Sequence, residues 1–325
     1  MSKTNKVTLN KVAELAGVSL GAASKVLNGG SSKIGVGAEA SKRILEAARK
    51  LDYHTNMAAA ILRGGRSKLI GVFVDSFAHY RTMRLLQDIE RLSSAMGYRV
   101  IMSLSHDNVA HMKADYLQFQ RYGITDFICC AHDYPEFKDE IADLFSGAKN
   151  VVFMEKPFIP DMPYVRTSRV KAMTEMIRHA LRKGCRRLGT LYGHISALTE
   201  RTQRDEFRQA LLNNGLEIDK SLMFEFSIKD DVNYQVRRAM RKMILPCKPD
   251  FLYIDDVSYA VTLRAQLEGT DLRPLIQGGT GDPLFANIGV KSFDPCYEKI
   301  AEELLNLLLH PELRENVPVI EAVYK

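Results

Sequence analysis

Positively charged side chains are concentrated at the amino-terminal end of the chain. Residues 1–66 hold eleven Lys and Arg against four Asp and Glu, a net charge of +7, whereas the whole chain of 325 residues carries +6. These cations alternate with apolar residues at helical spacing, as in VTLNKVAELAGVSLGAASKVLN at 7–28. A folded surface of this charge binds polyanions, because ammonium and guanidinium groups pair with phosphate oxygens. The sequence therefore predicts a polyanion-binding unit ahead of a nearly neutral body.

The body contains no recognisable catalytic or cofactor-binding motif. A GxGxxG loop after the first predicted strand, a GxxxxGK[ST] phosphate loop and an HExxH zinc motif are all absent from the sequence. GGTGD at 278–282 follows a late strand and lacks a phosphate-binding lysine, which favours a tight turn. In CCAHD, the neighbours Cys129 and Cys130 would point to opposite faces of a strand, so with His132 they make a poor metal site. We expect a protein that is not an enzyme and holds no cofactor or metal.

Cysteine content and the lack of long apolar runs bear on the cellular location. The five cysteines form no CxxC pair and are odd in number, which favours a reduced interior. No run approaches the roughly 18–20 apolar residues of a membrane span, and MSKTNKVT lacks the apolar region of a signal peptide. We therefore expect a cytoplasmic protein without a membrane partner, and not a periplasmic binding protein.

The stretch at 7–28 predicts two short helices around one turn. Thr8 suits the N-cap of the first helix, Gly17 can adopt the positive φ of the turn, and Ser19 suits the N-cap of the second. A third helix is predicted over about Ala38–Leu51. The residues predicted to face inward are Leu9, Val12, Ala13, Leu15, Ala22, Ala23, Val26, Leu27, Ile44, Leu45, Ala48 and Leu51. Three such helices make a helix-turn-helix domain.

In the body, short apolar runs alternate with amphipathic helical stretches. Strands are predicted over 69–74, 99–104, 126–131 and 150–154, and, after Pro163, over 187–192, 250–255 and 273–278. Buried parallel strands separated by helices build doubly wound α/β sheets. The sequence therefore predicts two such halves, one on each side of Pro163.

Several stretches resemble the lactose-repressor (LacI/GalR) family of bacterial transcription regulators. VTLNKVAELAGVS and SKVLN, then ILEAARKLDYHTN, then AAAILRGGRSKLIGVFV follow the order and spacing of that family, and the resemblance runs the whole chain. It implies an α/β protein with a three-helix helix-turn-helix domain (1–55) and a hinge helix with its linker (56–66). A body of two lobes would follow (67–325), built of doubly wound parallel sheets like those of periplasmic binding proteins.

The resemblance also implies which residues contact DNA. In the family, side chains early in the second helix reach base edges, and the serine and cation that follow grip phosphates. The positions carried over are Thr8, Ser19, Leu20, Gly21, Ala22, Ser24, Lys25, Asn28, Asn56, Ala59 and Leu62. Gly21 and Ala22 cannot make bidentate base contacts, and Leu20 offers apolar contact alone. We therefore expect specificity to depend on the hinge, where Leu62 would wedge into a base step and kink the duplex. The alternative is that Leu62 is an ordinary linker residue.

A ligand between the lobes, near the carboxyl ends of the strands, is implied as well. The positions carried over are Asp75, Glu155, Gln203, Asp255 and Thr280. A slip in GGTGD would present Asp282 instead of Thr280. Sugar-binding members have Arg where this chain has Gln203, so the site is expected to lack its fixed cation and to keep up to three carboxylates. That balance favours a neutral or amino sugar over an anion. The alternatives are that Arg201 or Arg204 turns into the site, or that the carboxylates pair structurally.

These inferences converge on a DNA-binding transcription regulator. We expect a homodimeric repressor of a pseudo-palindromic double-stranded operator, controlled by a small sugar-like effector. Ligand binding would shift the lobes and bias the hinge helix between folded and frayed states. The alternatives are a sugar-binding sensor that acts mainly as an activator, or a body that responds to no sugar.

Overall fold

A computed structural model of the chain describes residues 7–28, 35–53, 67–74, 80–104, 108–132, 134–194, 197–227 and 230–324. The description covers the backbone alone at residues 28, 135, 194 and 197–203. The predicted hinge and Asp75 lie outside these residues. The predicted domain boundaries at 55 and 66 therefore stay predictions.

The three amino-terminal helices are α1 (Leu9–Ala16), α2 (Leu20–Asn28) and α3 (Ala38–Lys50). Their shared core consists of Val12, Ala13, Ala16, Ala23, Ile44, Ala47 and Ala48. Five of these seven residues are alanines, so the helices can approach one another closely. The prediction of three short helices in this unit is confirmed.

Two leucines predicted to face inward are exposed instead. Leu15 has 50% of its surface exposed and Leu45 has 46%. The buried stripe of α1 runs through Val12, Ala13 and Ala16, and at 100° per residue Leu15 lies roughly 110° from the centre of that stripe. Leu45 is displaced by a similar angle from the stripe that contains Ile44. The buried faces are therefore narrower than the apolar pattern predicts.

The larger unit is built on two parallel sheets. The strands are β1 (Leu69–Val74), β2 (Arg99–Leu104), β3 (Asp126–Cys129), β4 (Asn150–Met154), β5 (Tyr164–Ser168), β6 (Leu188–His194), β7 (Met223–Ser227), β8 (Phe251–Ile254), β9 (Leu275–Gly278), β10 (Lys291–Ser292) and β11 (Val319–Glu321). The six-stranded sheet has the order β11-β5-β4-β3-β1-β2, and the five-stranded sheet has the order β10-β9-β8-β6-β7. The pairings between these strands are parallel. The prediction of doubly wound parallel sheets is confirmed.

Helices cover both faces of each sheet. Their bounds are Tyr80–Ala95, Val109–Arg121, Lys138–Ser146, Val170–Arg182, Ala197–Leu212, Val232–Ala239, Val257–Leu267, Leu284–Asn287 and Tyr297–Leu309. Helices Tyr80–Ala95 and Tyr297–Leu309 bury aliphatic residues on one face of the six-stranded sheet. On its other face, Phe73 packs edge-on against Phe145 at 5.6 Å between ring centroids. This burial explains why runs such as β1 are apolar on both faces.

The two sheets are not formed by contiguous halves of the chain. Strand β5 follows Pro163 but belongs to the six-stranded sheet, and β11, near the carboxyl terminus, pairs with it. The division predicted at Pro163 is therefore wrong. The physical reason is the helix Tyr297–Leu309, whose apolar face is buried against the first sheet and returns the chain to it. Asp294, which precedes this helix, and Val323, which follows β11, form an antiparallel bridge.

Candidate functional site

Helix α2 is held by its capped turn and by one buried alanine. Gly17 ends α1 in the left-handed conformation at φ 62°, which glycine adopts without steric cost. The Ser19 hydroxyl accepts a hydrogen bond from the Ala22 N–H at 3.2 Å, so Ser19 is the N-cap that its sequence position predicts. Ala23 is fully buried in the three-helix core. The first turn of α2 is therefore fixed in place while its outer face stays in solvent.

The outer face of α2 consists of small and apolar groups. Leu20 has 47% of its surface exposed, and Gly21 beside it is also exposed. Ser24 and Lys25 are half-buried one turn later. Thr8 precedes α1, where its side chain makes no capping hydrogen bond. The surface available to a DNA groove therefore combines apolar contact at Leu20 with polar groups that suit phosphates.

Other predicted DNA contacts lie outside the described residues. Asn56, Ala59 and Leu62 belong to the segment that the structure does not describe, and the side chain of Asn28 is likewise undescribed. Ala22 is described and is half-buried. These assignments stay predictions.

A cavity of about 500 Å³ lies at the carboxyl ends of β3, β4 and β5. Arg81 and Thr82, from the first turn of the helix Tyr80–Ala95, form one side of it. The neighbouring helix Tyr297–Leu309 contributes Tyr297 and Ile300, and Gly279, directly after β9 of the five-stranded sheet, also lines the cavity. This position, outside the carboxyl ends of parallel strands, is where doubly wound proteins bind small ligands.

Arg169 forms a buried ionic cluster at the edge of the cavity. Its Nε donates to Glu206 Oε2 at 2.8 Å, and its backbone N–H donates to Glu206 Oε1 at 2.9 Å. Its Nη1 lies 3.6 Å from Asp255 Oδ2, and Arg81 Nη1 lies at the same distance from that oxygen. Tyr253 donates its hydroxyl to Asp255 Oδ1 at 2.7 Å. We call Arg81, Arg169, Glu206, Asp255 and Tyr253 the Arg169 cluster.

The electrostatics of the cluster follow from its burial. Burial by itself would lower the pKa of Arg169, but the carboxylates of Glu206 and Asp255 outweigh that effect and raise the pKa. Burial, with Asp255 as the next cause, raises the pKa of Tyr253 well above its ordinary value, so this hydroxyl remains a hydrogen-bond donor. The cluster therefore keeps Arg169 charged and Tyr253 neutral at physiological pH.

Glu155 lines the cavity, as its predicted role requires, but its carboxylate has protein partners. Its backbone has a positive φ of 68°, a conformation that is strained for any residue other than glycine. Oε1 accepts a hydrogen bond from the Thr167 N–H at 3.0 Å and another from the Thr167 hydroxyl. Burial raises the pKa of Glu155. The strained backbone and the Thr167 bonds together fix the carboxyl group in the wall.

The remaining predicted ligand residues contribute differently. Thr280 is buried, and its backbone carbonyl accepts a hydrogen bond from the Tyr297 hydroxyl at 2.9 Å. Asp282 is also buried, and its Oδ1 accepts from the Leu284 N–H at 2.9 Å. Neither residue is part of the cavity wall. The side chain of Gln203 lies outside the described residues.

The expectation that the site lacks a fixed cation is wrong. Arg81 and Arg169 both line the cavity, and both lie near Asp255. The prediction failed because it sought a cation at the position of Gln203. Arg169 instead follows β5. The sequence of that strand, YVRTS, is short and mostly polar, so no strand was predicted there. The alternative that the carboxylates pair structurally is the one that fits Asp255.

Gly279 leaves no room for a side chain beside the Arg169 cluster. A Cβ atom there would lie 1.9 Å from Tyr253 Oη and 2.6 Å from Asp255 Oδ1. We expect Gly279→Ala to lower the free energy of unfolding by about 1–3 kcal/mol, because both neighbours are buried and hydrogen-bonded. Chemical denaturation measures the change. The control is Gly147→Ala, where a Cβ would meet no atom within 4 Å; equal effects for the two variants would contradict the packing described.

Two family models match this chain. The model described as "Bacterial regulatory proteins, lacI family" matches residues 8–56. The model described as "Periplasmic binding proteins and sugar binding domain of LacI family" matches residues 69–268, more than half of the chain. The chain belongs to the lacI family of bacterial regulatory proteins. It is therefore a DNA-binding transcription regulator, with α1–α3 inside the first matched region and most of the residues that line the cavity inside the second.

Individual relatives agree with this assignment. The lacI-family chain is 25% identical over 243 residues to the sucrose operon repressor of Klebsiella pneumoniae, which covers 73% of this chain and 71% of the repressor. It is 32% identical over 99 residues to the catabolite repressor/activator of Salmonella typhimurium, which covers 30% of each chain. The lac repressor dimer bound to operator and the anti-inducer ONPF has the same fold, with a TM-score of 0.77 at 18% identity over 98% of this chain and 97% of that one.

In the part of the chain that the structure describes, no helix is long and apolar enough to cross a membrane. Among those same residues, no group of three or more His, Cys, Asp and Glu side chains could hold a metal ion. His132, considered above as a metal ligand, has its Nε2 at 2.7 Å from the Met154 carbonyl oxygen.

Proposed function

We propose that this protein is a homodimeric repressor that binds a pseudo-palindromic operator and is controlled by a small sugar-like effector in the cavity. The observation that carries the proposal is the first turn of α2. It is capped by Ser19, anchored by Ala23 and exposed at Leu20, in the segment that holds the positive charge of the chain. A helix presented in this way suits the major groove.

DNA recognition would divide between α2 and the hinge. Leu20 would contact a thymine methyl group, and Gly21 would let the helix approach the bases closely. Ser24 and Lys25 would contact phosphates and so position the helix without reading sequence. Because the bases meet few polar groups, sequence preference would come mainly from DNA deformation at Leu62.

The effector proposal is supported by the location and size of the cavity. A volume of about 500 Å³ is suited to a small polar molecule. The sucrose operon repressor of Klebsiella pneumoniae, by its name a regulator of sugar use, is similar to most of this chain. The cavity is bounded by both sheets, so a ligand there could favour one arrangement of the two lobes over another.

Dimerisation is proposed on symmetry grounds. One α2 reads only a few base pairs, and two copies related by a two-fold axis would read two half-sites of a pseudo-palindrome.

A regulator of chromosomal operators would act in the cytoplasm, at the nucleoid. An activating role is the alternative, favoured by the similarity of 99 residues to a catabolite repressor/activator; a reporter gene placed behind the operator distinguishes the two.

Salt dependence of DNA binding tests the proposal. A dimer that neutralises about six to ten phosphates should lose ~10³- to 10⁵-fold in affinity between 50 and 200 mM salt. Lys25→Gln should weaken binding to all sequences and lower the salt slope by about one per lost phosphate contact. The control is Lys113→Gln, an exposed lysine of the helix Val109–Arg121. Gel shifts with genomic fragments give both quantities, and salt-independent binding would refute the proposal.

A further inference from the structure

The wall of the cavity contains more positive than negative side chains. Arg81, Lys156, Arg166 and Arg169 line it, whereas Glu155 is the one acidic residue of the wall within the described part of the chain. Asp255 and Glu206 lie behind that wall, against Arg169. The charge that a ligand meets therefore depends on which cations the protein itself neutralises.

Arg169 is largely neutralised by protein groups. Its side chain is only 12% exposed, and Glu206 accepts hydrogen bonds from both its Nε and its backbone N–H. Asp255 Oδ2 lies 3.6 Å from its Nη1. Arg169 thus acts chiefly as the partner of two buried carboxylates.

Arg81 is placed differently. Its side chain is 34% exposed, and its Nη1 is 3.6 Å from Asp255 Oδ2, beyond hydrogen-bond distance. A guanidinium has five N–H donors in a planar fork, so Arg81 keeps donors for a ligand. It also lies in the first turn of the helix Tyr80–Ala95, where the helix dipole favours a negative group. Both features direct an anion to the same corner of the cavity.

Two more cations lie in the exposed part of the wall. Lys156 and Arg166 are exposed and form no ion pair with the residues that the structure describes. Glu155, which lies between β4 and Lys156, adds one carboxyl group to this wall, and Thr167 donates two hydrogen bonds to its Oε1. The remaining wall is partly apolar, with Leu85, Tyr297 and Ile300, and suits the C–H groups of a sugar ring.

We propose that the effector is a small sugar-derived anion whose carboxylate or phosphate group binds Arg81, with Lys156 and Arg166 at the rim. The inference rests on the proposed function, because it takes this cavity to be the effector site. It reverses the preference for neutral and amino sugars that the sequence favours. The reason is the charge balance. Glu206 is hydrogen-bonded to Arg169, and Asp255 lies 3.6 Å from both Arg169 and Arg81, whereas Lys156 and Arg166 form no ion pair with the residues that the structure describes.

The test is a calorimetric and thermal-shift panel with the full-length protein in phosphate-free buffer. The probes are glucose, galactose and fructose, their monophosphates, glucosamine, glucuronate and galacturonate. We expect at least one acid to bind at least tenfold more tightly than its neutral parent, with an affinity that falls as salt rises. Phosphates and uronates are separate arms, so the panel identifies which anionic group the site takes.

Variants of single arginines connect the affinity to the cavity. Arg81→Gln should weaken binding of that acid by about tenfold to a hundredfold. Arg81→Lys should have an intermediate affinity, because lysine keeps the positive charge but lacks the planar set of N–H donors of a guanidinium. Arg178→Gln is the matched control, since Arg178 is exposed on the helix Val170–Arg182 and does not line the cavity. Unchanged affinity in Arg81→Gln would overturn the inference.

The panel also separates this inference from the proposed function. Absence of binding by every acid, or tighter binding of a neutral or amino sugar, overturns the inference. If that neutral sugar alters DNA binding, the proposed function stands without the anion. If an acid binds through Arg81 but leaves DNA binding unchanged, the inference stands and effector control does not.

Discussion

Replacing Arg169 by methionine is expected to lower the free energy of unfolding by about 3–5 kcal/mol. Methionine fills a similar volume but leaves the carboxylates of Glu206 and Asp255 buried without their central cation. Both carboxyl groups are about 10% exposed at the side chain, so water can solvate them only poorly. The cost is that of an unpaired buried charge, which exceeds the cost of losing one hydrogen bond.

Chemical denaturation of matched variants checks this expectation. Arg178→Met removes the same charge at an exposed position and should change stability by no more than about 0.5 kcal/mol. Adding Glu206→Gln and Asp255→Asn to Arg169→Met should restore part of the loss, because the carboxylates are then neutral. A loss below about 1 kcal/mol for Arg169→Met would show that the cluster is not the ionic centre described here.

Replacing Leu62 by alanine is expected to bring operator affinity close to non-specific affinity. Specific sites are typically bound ~10³- to 10⁷-fold more tightly than random DNA, and little of that ratio can come from Leu20, Gly21 and Ala22. The resemblance to lactose-repressor proteins implies that Leu62 is the side chain that wedges between base pairs. Its removal should abolish the bend and with it the energetic difference between sequences.

The measurement is the ratio of operator to random-DNA affinity, together with the bend angle from fluorescence transfer between labelled DNA ends. Leu20→Ala is the comparison variant: it removes one exposed apolar contact and should cost about 1–3 kcal/mol at one base pair. If Leu20→Ala lowers the ratio more than Leu62→Ala does, specificity belongs to α2 rather than the hinge.

The strands were most readily predicted where both of their faces are buried. Runs such as LIGVFV and FLYI form central strands, and their continuous apolar pattern identified them. Strand β7, which lies at an edge and alternates half-buried with buried residues, was not predicted. Strands β10 and β11 are also edges, two and three residues long, too short to give a periodic signal.

Helix α2 was predictable because its signals are local. The Ser19 cap, the Gly17 turn and the buried Ala23 depend on residues within one or two turns. The Arg169 cluster has no such signal, since Arg81, Arg169, Glu206 and Asp255 come from four separate elements. These residues come close together only when the two sheets are placed relative to each other. The spacing of residues in the sequence does not predict that placement.

Selection of binding sites from random double-stranded DNA by the full-length protein tests the central claim most directly. A homodimeric lacI-family regulator should enrich one sequence with two-fold symmetry, its half-sites in register with two copies of α2. Leu62→Ala should bind the pool without enriching it. Recovery of no common sequence by the unmodified protein, or of a single unsymmetrical site, would contradict the account.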